Sequence, residues 1–236
     1  MYNGEFVSAI ICAAGSSSRM NGAAGKSKQF LSFGGMTVIE RSVLAFENDA
    51  VTDEIIVVCP EALTSDFSAL LSAHDLKKPL RFAKGGSERQ FSVKNGVDAT
   101  DERSQLILVH DGARPFITSQ LIAQAASDGD EFGCSTLAVA VKDTIKRVKN
   151  GTVVDTPPRD ELFAIQTPQS FRKSLYLAAY RNALEKGVVC TDDCRMIELN
   201  GGTVHITQGD YRNIKITTPE DIIAAEAISQ NYKNGD

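Results

Sequence analysis

The feature that most constrains the fold of this chain is a regular alternation of short apolar runs with helical patterns. Ile39, Val43 and Phe46, for example, recur at the spacing of one helix face. Such alternation predicts an α/β protein with a mostly parallel sheet and helices on both faces. A length of 236 residues, 42% of them hydrophobic, suits one domain spanning 1–236. The predicted strands are 7–12, 54–59, 80–84, 105–110, 134–141 and 203–207, and the predicted helices are 37–48, 61–74, 88–99, 118–129, 172–186, 192–200 and 219–231.

The stretch after the first predicted strand, residues 13–31 (AAGSSSRMNGAAGKSKQFL), indicates a site for phosphate groups. Ligands of parallel sheets bind at the carboxyl ends of the strands. Small residues there let backbone N–H groups approach phosphate oxygens, and Arg19 and Lys28 would offset negative charge that develops during a reaction. A Ser/Gly-rich surface loop with two solvated cations is the alternative interpretation.

Two better-known phosphate loops are excluded by spacing. The stretch lacks the G-x-G-x-x-G pattern of a dinucleotide site. Gly25-Lys26-Ser27 resembles the end of a Walker A motif, but that motif requires glycine at the position of Met20.

A second strand end carries a carboxylate. The apolar run before Asp111 places that residue at the end of a buried strand, where it is suited to hold Mg²⁺. Arg114, three residues on, would bind an anionic group, whereas His110 is interpreted as structural. The alternative is a turn in which Asp111 caps local backbone groups. The paired glycines Gly85 and Gly86 follow another strand and permit close approach of a ligand.

One segment departs from the alternation. Thr144–Val148 and Thr152–Asp155 flank Lys149-Asn150-Gly151, and Asn-Gly is a strong signal for a hairpin turn. An isolated two-stranded ribbon is only marginally stable in water, so we expect an arm, at about 142–160, that packs on a second subunit through Ile145 and Val153. A hairpin folded onto its own surface is the alternative.

Composition limits the function further. A formal charge of −5 argues against general nucleic-acid binding. The five cysteines include no C-x-x-C pair, and the histidines show no zinc-ligand spacing. No apolar run approaches the ~20 residues of a membrane span, so we expect a cytoplasmic enzyme without a membrane partner. Without a G-x-S-x-G elbow or a Cys–His pairing, a covalent hydrolase is disfavoured.

Several stretches, taken in order, resemble the 2-C-methyl-D-erythritol 4-phosphate cytidylyltransferase family: AAGSSSRM, KQFL, GGSERQFSV, VHDGARPF, VKDTIK, QTPQSF, TDDC and NIKITTPED. The resemblance implies a Rossmann-like nucleotidyltransferase fold whose protruding β-hairpin arm forms a homodimer. It also implies transfer of CMP from CTP to 2-C-methyl-D-erythritol 4-phosphate, with release of pyrophosphate and Mg²⁺ as cofactor. A ribitol-5-phosphate cytidylyltransferase, a nucleotide sensor without activity and a flavodoxin-like interaction domain are the alternatives.

The same resemblance assigns roles to individual residues. Arg19 and Lys28 would stabilise the transition state, while Lys215 and Arg159 hold the attacking phosphate, and Arg159, with Thr167, would reach the site from the partner subunit. Ser27 stands where proline is frequent, which leaves open whether Lys26 or Lys28 is the working lysine. Residues implied to hold CTP are Ala13, Ala14, Gly15, Gly85, Gly86, Ser92 and Asp111, the last beside Mg²⁺; those implied to surround the sugar phosphate are Arg114, Thr144, Thr167, Thr191 and Lys215.

Overall fold

A computed structural model describes residues 1–15 and 27–235 of the chain, without the side chains of residues 231–235. The strands in these ranges are β1 (Phe6–Cys12), β2 (Ser32–Phe33), β3 (Met36–Thr37), β4 (Glu54–Cys59), β5 (Leu80–Lys84), β6 (Ser104–Asp111), β7 (Cys134–Ala140), β8 (Arg147–Lys149), β9 (Thr152–Asp155), β10 (Phe163–Arg172) and β11 (His205–Gln208). The α-helices are α1 (Val38–Asn48), α2 (Thr64–Leu71), α3 (Arg89–Asp98), α4 (Ser119–Phe132), α5 (Lys173–Glu185), α6 (Asp193–Leu199) and α7 (Pro219–Gly235).

Seven of the strands in the described ranges form one sheet, in the order β11-β7-β10-β6-β1-β4-β5. Strand β1 pairs in parallel with both β4 and β6, so its carboxyl end lies between the ends of two parallel neighbours. Strand β10 runs antiparallel to β6 and β7. The mostly parallel sheet expected from the sequence is therefore confirmed.

Alternate residues of each central strand face opposite layers, as the two-residue period of a strand requires. On β1, Ile11 packs in a core with α1, α2 and α4, whereas Ile10 packs in a second core with α3, α5 and α6. Because both faces are covered, the central strands are apolar along their length rather than alternating with polar residues. The two cores fix the sheet and leave the strand ends as the place for chemistry.

Strand β10 is the strand of the seven-stranded sheet that the sequence analysis missed, and the short pair β2 and β3 was not predicted either. Gln166, Thr167 and Gln169 are polar, and Pro168 lacks a backbone N–H, so the segment lacks the apolar pattern of a buried strand. Its polar side chains are nevertheless buried, and the pairing with β7 shifts register between Ile165 and Gln169. Gln166, Thr167 and Gln169 each make side-chain hydrogen bonds to other segments of the chain, which offset much of the cost of burying them.

The hairpin expected from Asn-Gly is present, although its first strand is later and shorter than predicted. Strands β8 and β9 pair antiparallel, and Asn150 and Gly151 both adopt positive φ, as a two-residue hairpin turn requires. At its base, Val141 donates its N–H to the carbonyl of Leu162. Apolar side chains of this arm, Ile145, Val148, Val153 and Val154, are exposed.

The last part of the chain packs over the sheet ends. Ile216 is buried in a third core with Phe33, Val38 and Phe116, and α7 contributes Ala225 to it. This packing holds residues 213–217 beside the end of β6. In the part of the chain that the structure describes, none of the helices combines the length and apolar character that crossing a bilayer would demand.

Candidate active site

The loops that follow β1, β5 and β6 meet at the carboxyl end of the sheet. The Ala13 N–H donates to the carbonyl of Val58, the Gly85 N–H to Cys59 and the Gly112 N–H to Cys12, at 2.7–3.0 Å. These bonds extend the parallel pairing by one step beyond each strand. They bring together the stretches that the sequence analysis assigned separately to phosphate and metal.

Small residues form the floor between the first two loops. A Cβ atom on Gly85 would lie 2.4 Å from the Cβ of Ala14, and one on Gly86 would lie 2.5 Å from the Cβ of Phe91. The Ser92 hydroxyl accepts the Gly86 N–H at 2.9 Å and fixes the turn. Only glycine fits at 85 and 86, whereas a Cβ at Gly15 would meet no atom of the described residues within 4 Å.

Asp111 is the electrostatic centre of the site. Its carboxylate binds the Arg89 guanidinium at 2.6 Å and the Lys215 ammonium at 2.8 Å, and Arg114 lies 3.8 Å away. Burial alone would raise the pKa of this carboxyl, but the three cations hold it well below its usual range. Asp111 is therefore ionised, and it gathers the cations from three separate loops.

Arg89 bridges Asp111 to a second carboxylate. Its Nε and its terminal nitrogen donate to Asp193 at 3.1 and 2.9 Å. Burial raises the pKa of Asp193 to about 6, since Arg89 only partly offsets the loss of water. The sequence analysis quoted the stretches that contain Arg89 and Asp193 but assigned neither a role, because nothing in their spacing indicates a pair 104 residues apart.

Residues 213–216, in the loop before α7, lie beside the cations around Asp111. Arg114 donates to the carbonyls of Asn213 and Ile165 at 2.7 and 3.2 Å. The Lys28 ammonium donates to the carbonyl of Ile216 at 3.0 Å. Lys28 therefore contacts the segment that carries Lys215, although the two lysines are 187 residues apart in the sequence.

Hydrogen bonds of His110 and Thr167 hold the backbone of Asp111 in place. The Thr167 hydroxyl accepts the Asp111 N–H at 3.0 Å and lies 3.1 Å from His110 Nδ1, while His110 Nε2 lies 3.1 Å from the carbonyl of Arg114. A carbonyl only accepts, so Nε2 carries the proton and Nδ1 accepts from Thr167. Thr167 thus lies at Asp111 of its own chain, and not on the arm beside Arg159, with which the sequence analysis grouped it.

The other assigned residues have different positions. Thr191 is exposed and precedes Asp192, whose carboxylate accepts the Arg195 N–H at the start of α6 and the Gln169 amide. Thr144 and Arg159 are exposed on either side of the arm strands, and within residues 1–15 and 27–235 no hydrogen bond or ion pair joins them to Asp111. Arg19 and Lys26 lie outside the described residues.

The side chains available as ligands determine which metal ion the site could bind. In the described ranges, no three His, Cys, Asp or Glu residues cluster in a way that could hold a metal ion. Asp111 supplies one carboxylate, which fits Mg²⁺ held mainly by the phosphates of a bound nucleotide and by water. Mg²⁺ at Asp111 stays a prediction on this basis.

Cations gathered around one carboxylate, next to small residues at the strand ends, suit a reaction that brings two phosphorylated reactants together. The class of protein that this fold and this site define is a nucleotidyltransferase.

Comparison with known proteins specifies the class. A model of the 2-C-methyl-D-erythritol 4-phosphate cytidylyltransferase family matches residues 7–231. Enzymes of that name from Bacillus licheniformis and Bacillus velezensis are 44% and 45% identical, over 96% and 93% of this chain and 97% and 94% of their own. The chain belongs to this family, and the resemblance found in the sequence is confirmed.

Solved structures agree with this assignment. The crystal structure of 4-diphosphocytidyl-2C-methyl-D-erythritol synthase from Anaerococcus prevotii superposes with a TM-score of 0.85 at 34% identity, covering 97% of both chains. The 2-C-methyl-D-erythritol 4-phosphate cytidylyltransferase from Thermus thermophilus gives 0.77 at 30%, covering 95% of this chain and 99% of its own. The expected α/β nucleotidyltransferase fold is confirmed, whereas assembly through the arm stays a prediction.

The burial of His110 predicts a pH dependence of stability. Burial lowers its pKa to about 4, whereas the unfolded chain binds a proton near pH 6.5. The stabilisation is therefore complete above pH 6.5 and is lost as the pH falls towards 4, by about 2 kcal/mol at pH 5. Between pH 7 and pH 5, the change in the free energy of unfolding measured in urea should be less favourable by about 2 kcal/mol in the wild type and in His74→Gln than in His110→Gln, which keeps the other titrating groups, Asp193 included. An equal loss in all three proteins would contradict the assignment.

Proposed function

We propose that the protein transfers a cytidylyl group from CTP to 2-C-methyl-D-erythritol 4-phosphate, giving 4-diphosphocytidyl-2-C-methyl-D-erythritol and pyrophosphate in isoprenoid precursor biosynthesis. Membership of the family supports this reaction. The observation that carries its chemistry is the set of Arg89, Arg114 and Lys215 around Asp111, beside the small-residue floor.

The main electrostatic difficulty of the reaction is repulsion between two anionic substrates. An oxygen of the sugar phosphate forms a bond to the α-phosphorus of CTP, and the bond from that phosphorus to the bridging oxygen of the pyrophosphate breaks. Arg114 and Lys215 are placed to attract the sugar phosphate, and Lys28 and Arg19 are assigned to the α-phosphate and the leaving group. Lining up the two reactants and neutralising their charge supply the catalysis.

No general base is required from the protein. A phosphate monoester has a second pKa near 6 and is largely ionised at neutral pH. His110, the histidine nearest the site in the described residues, is fully buried with both ring nitrogens bonded, which suits a structural role. The nucleophile is thus already anionic when it binds.

The nucleotide and the sugar phosphate are assigned to different sides of Asp111. The small-residue floor suits CTP, and Ser92 keeps its turn in place; Mg²⁺, held by Asp111 and the phosphates, would withdraw charge from the α-phosphate. The residues assigned to CTP are Ala13, Ala14, Gly15, Gly85, Gly86, Ser92 and Asp111, and those assigned to the sugar phosphate are Arg114, Thr144, Thr167, Thr191, Lys215 and the partner's Arg159.

A homodimer through the arm is part of the proposal. Val148, Val153 and Val154 are exposed on a two-stranded ribbon, and such a ribbon is only marginally stable unless its apolar side chains are covered. The base of the arm leads directly to Arg159, which is exposed. Packing against a second copy would cover the apolar side chains and bring Arg159 to the neighbouring site.

The proposed reaction is tested by pyrophosphate release. The protein with CTP and Mg²⁺ should release pyrophosphate with 2-C-methyl-D-erythritol 4-phosphate, with a kcat/KM at least tenfold above that with ribitol 5-phosphate. Each of the four nucleoside triphosphates is assayed in parallel, with CTP expected to be preferred. A larger kcat/KM with ribitol 5-phosphate would assign the protein to the alternative polyol phosphate.

Loss of the Lys28 ammonium should remove most activity without unfolding the protein. Deletion of one preorganised charge opposite a developing negative charge costs on the order of 10²–10³ in rate, so Lys28→Ala should fall by this factor in kcat. Its melting temperature should stay close to that of the wild type. Lys26→Ala is assayed in parallel, and a larger loss of kcat in Lys26→Ala than in Lys28→Ala would assign the role to Lys26. Wild-type turnover by Lys28→Ala would refute the role.

A mixture of two inactive variants tests whether Arg159 acts across a dimer. Lys28→Ala and Arg159→Ala damage different halves of each site if Arg159 is supplied by the partner. After subunit exchange at equal concentrations, half of the dimers are mixed, and each mixed dimer has one intact site. Pyrophosphate release should recover to about a quarter of the wild-type rate. No recovery, with exchange shown by mass spectrometry, would place Arg159 in its own subunit's site.

A further inference from the structure

Two contacts join the start of helix α3 to the start of helix α6 and to the segment just before it. Arg89 is the first residue of α3 and Asp193 the first residue of α6, and they form the ion pair described above. The next residue of α3, Gln90, accepts the N–H of Cys190 through Oε1 at 2.8 Å. We call these two contacts, Arg89–Asp193 and Gln90–Cys190, the interhelix latch.

The residues of the interhelix latch are buried, so the loss of one of its bonds would leave a polar group without water or another partner. Asp193 and Gln90 are each 1% exposed, and Cys190 is 5% exposed. Without Gln90 the Cys190 N–H would be a buried donor with no acceptor, which destabilises the local conformation. Without the charge of Asp193, Arg89 would have Asp111 as its remaining carboxylate.

The two ends of the latch belong to different halves of the proposed site. Helix α3 follows Gly85 and Gly86 and carries Ser92, all assigned to the nucleotide. The segment 190–193 contains Thr191, which is assigned to the sugar phosphate. Between the two halves stands Asp111, bound to the Arg89 guanidinium that also binds Asp193.

We propose that Gln90 and Asp193 are positioning residues that couple the nucleotide half of the site to the sugar-phosphate half, by fixing segment 190–193 to the first turn of α3. The inference rests on the proposed function, because it takes its two halves from the proposed substrates. Nucleotide bound against α3 restricts the motion of segment 190–193 and so prepares Thr191 for the second substrate.

Hydrogen exchange measures this coupling without requiring turnover. CTP with Mg²⁺ should slow amide exchange in wild-type peptides covering 84–98 and also in those covering 188–199. In Gln90→Met, which keeps the side-chain volume but removes the acceptor, the first protection should persist and the second should be lost. Lys94→Gln, which removes an ion pair with Asp98 on the same helix, is the matched control and should behave like the wild type.

Two outcomes of the exchange experiment overturn the coupling. One is protection of 84–98 in the wild type without protection of 188–199, and the other is equal protection of 188–199 in Gln90→Met and the wild type. Absence of protection at 84–98 in the wild type would count instead against the proposed nucleotide site, so the two failures are distinguishable.

Steady-state kinetics supply the second test. Gln90→Met and Asp193→Asn should each raise the KM for 2-C-methyl-D-erythritol 4-phosphate about fivefold, the effect of one lost hydrogen bond, with the KM for CTP within twofold of the wild type. Because both changes act on one segment, the double variant should rise by less than the product of the single effects. A purely local role of Gln90 in α3 would raise the KM for CTP instead, and that result would overturn the proposal.

Discussion

The ionised carboxylate of Asp111 is the interaction on which the arrangement of the site depends. Without a negative charge between them, the side chains of Arg89, Arg114 and Lys215 would repel one another. One buried negative charge at the end of β6 holds all three within 3.8 Å or less. A cationic site of this kind is therefore organised before the phosphates arrive, and little reorganisation is required on binding.

The position of Asp111 depends in turn on a strand that carries several buried polar residues. Strand β10 places Thr167 under the Asp111 N–H and Gln169 against the carboxylate of Asp192. A central apolar strand would pack as well but would leave these donors and acceptors without partners. The buried amides and hydroxyls of β10 thus connect the end of β6 to the start of α6.

The sequence predicts much of this molecule because most elements follow from local patterns. The apolar runs that became β1, β4 and β6 are buried on both faces, and a continuous apolar run is the signal of such a strand. The Asn150–Gly151 turn was predictable because few residues adopt two successive positive φ angles. Strand β10 was not predictable, because the side chains that make it stable satisfy partners distant in sequence.

The same division holds for the site. Asp111, Gly85 and Gly86 were identified from their positions after strands, and the structure brings them together. Arg89 and Asp193 were not, because an ion pair between residues 104 apart leaves no periodic trace in the sequence. The sequence identifies residues whose role follows from their position directly after a strand. It misses groups whose role is to hold another side chain.

The base of the arm has a consequence for how this family can change. Ala140 pairs with Phe163, and the Val141 N–H donates to the carbonyl of Leu162. The two ends of the arm are therefore held together where β7 ends and β10 begins. Everything between these anchor points projects away from the sheet. Insertions and deletions there alter neither the register of β7 against β10 nor the cores beneath it. A change in the length of the arm would therefore leave the sheet intact and would act instead on the proposed dimer contact and on the reach of Arg159.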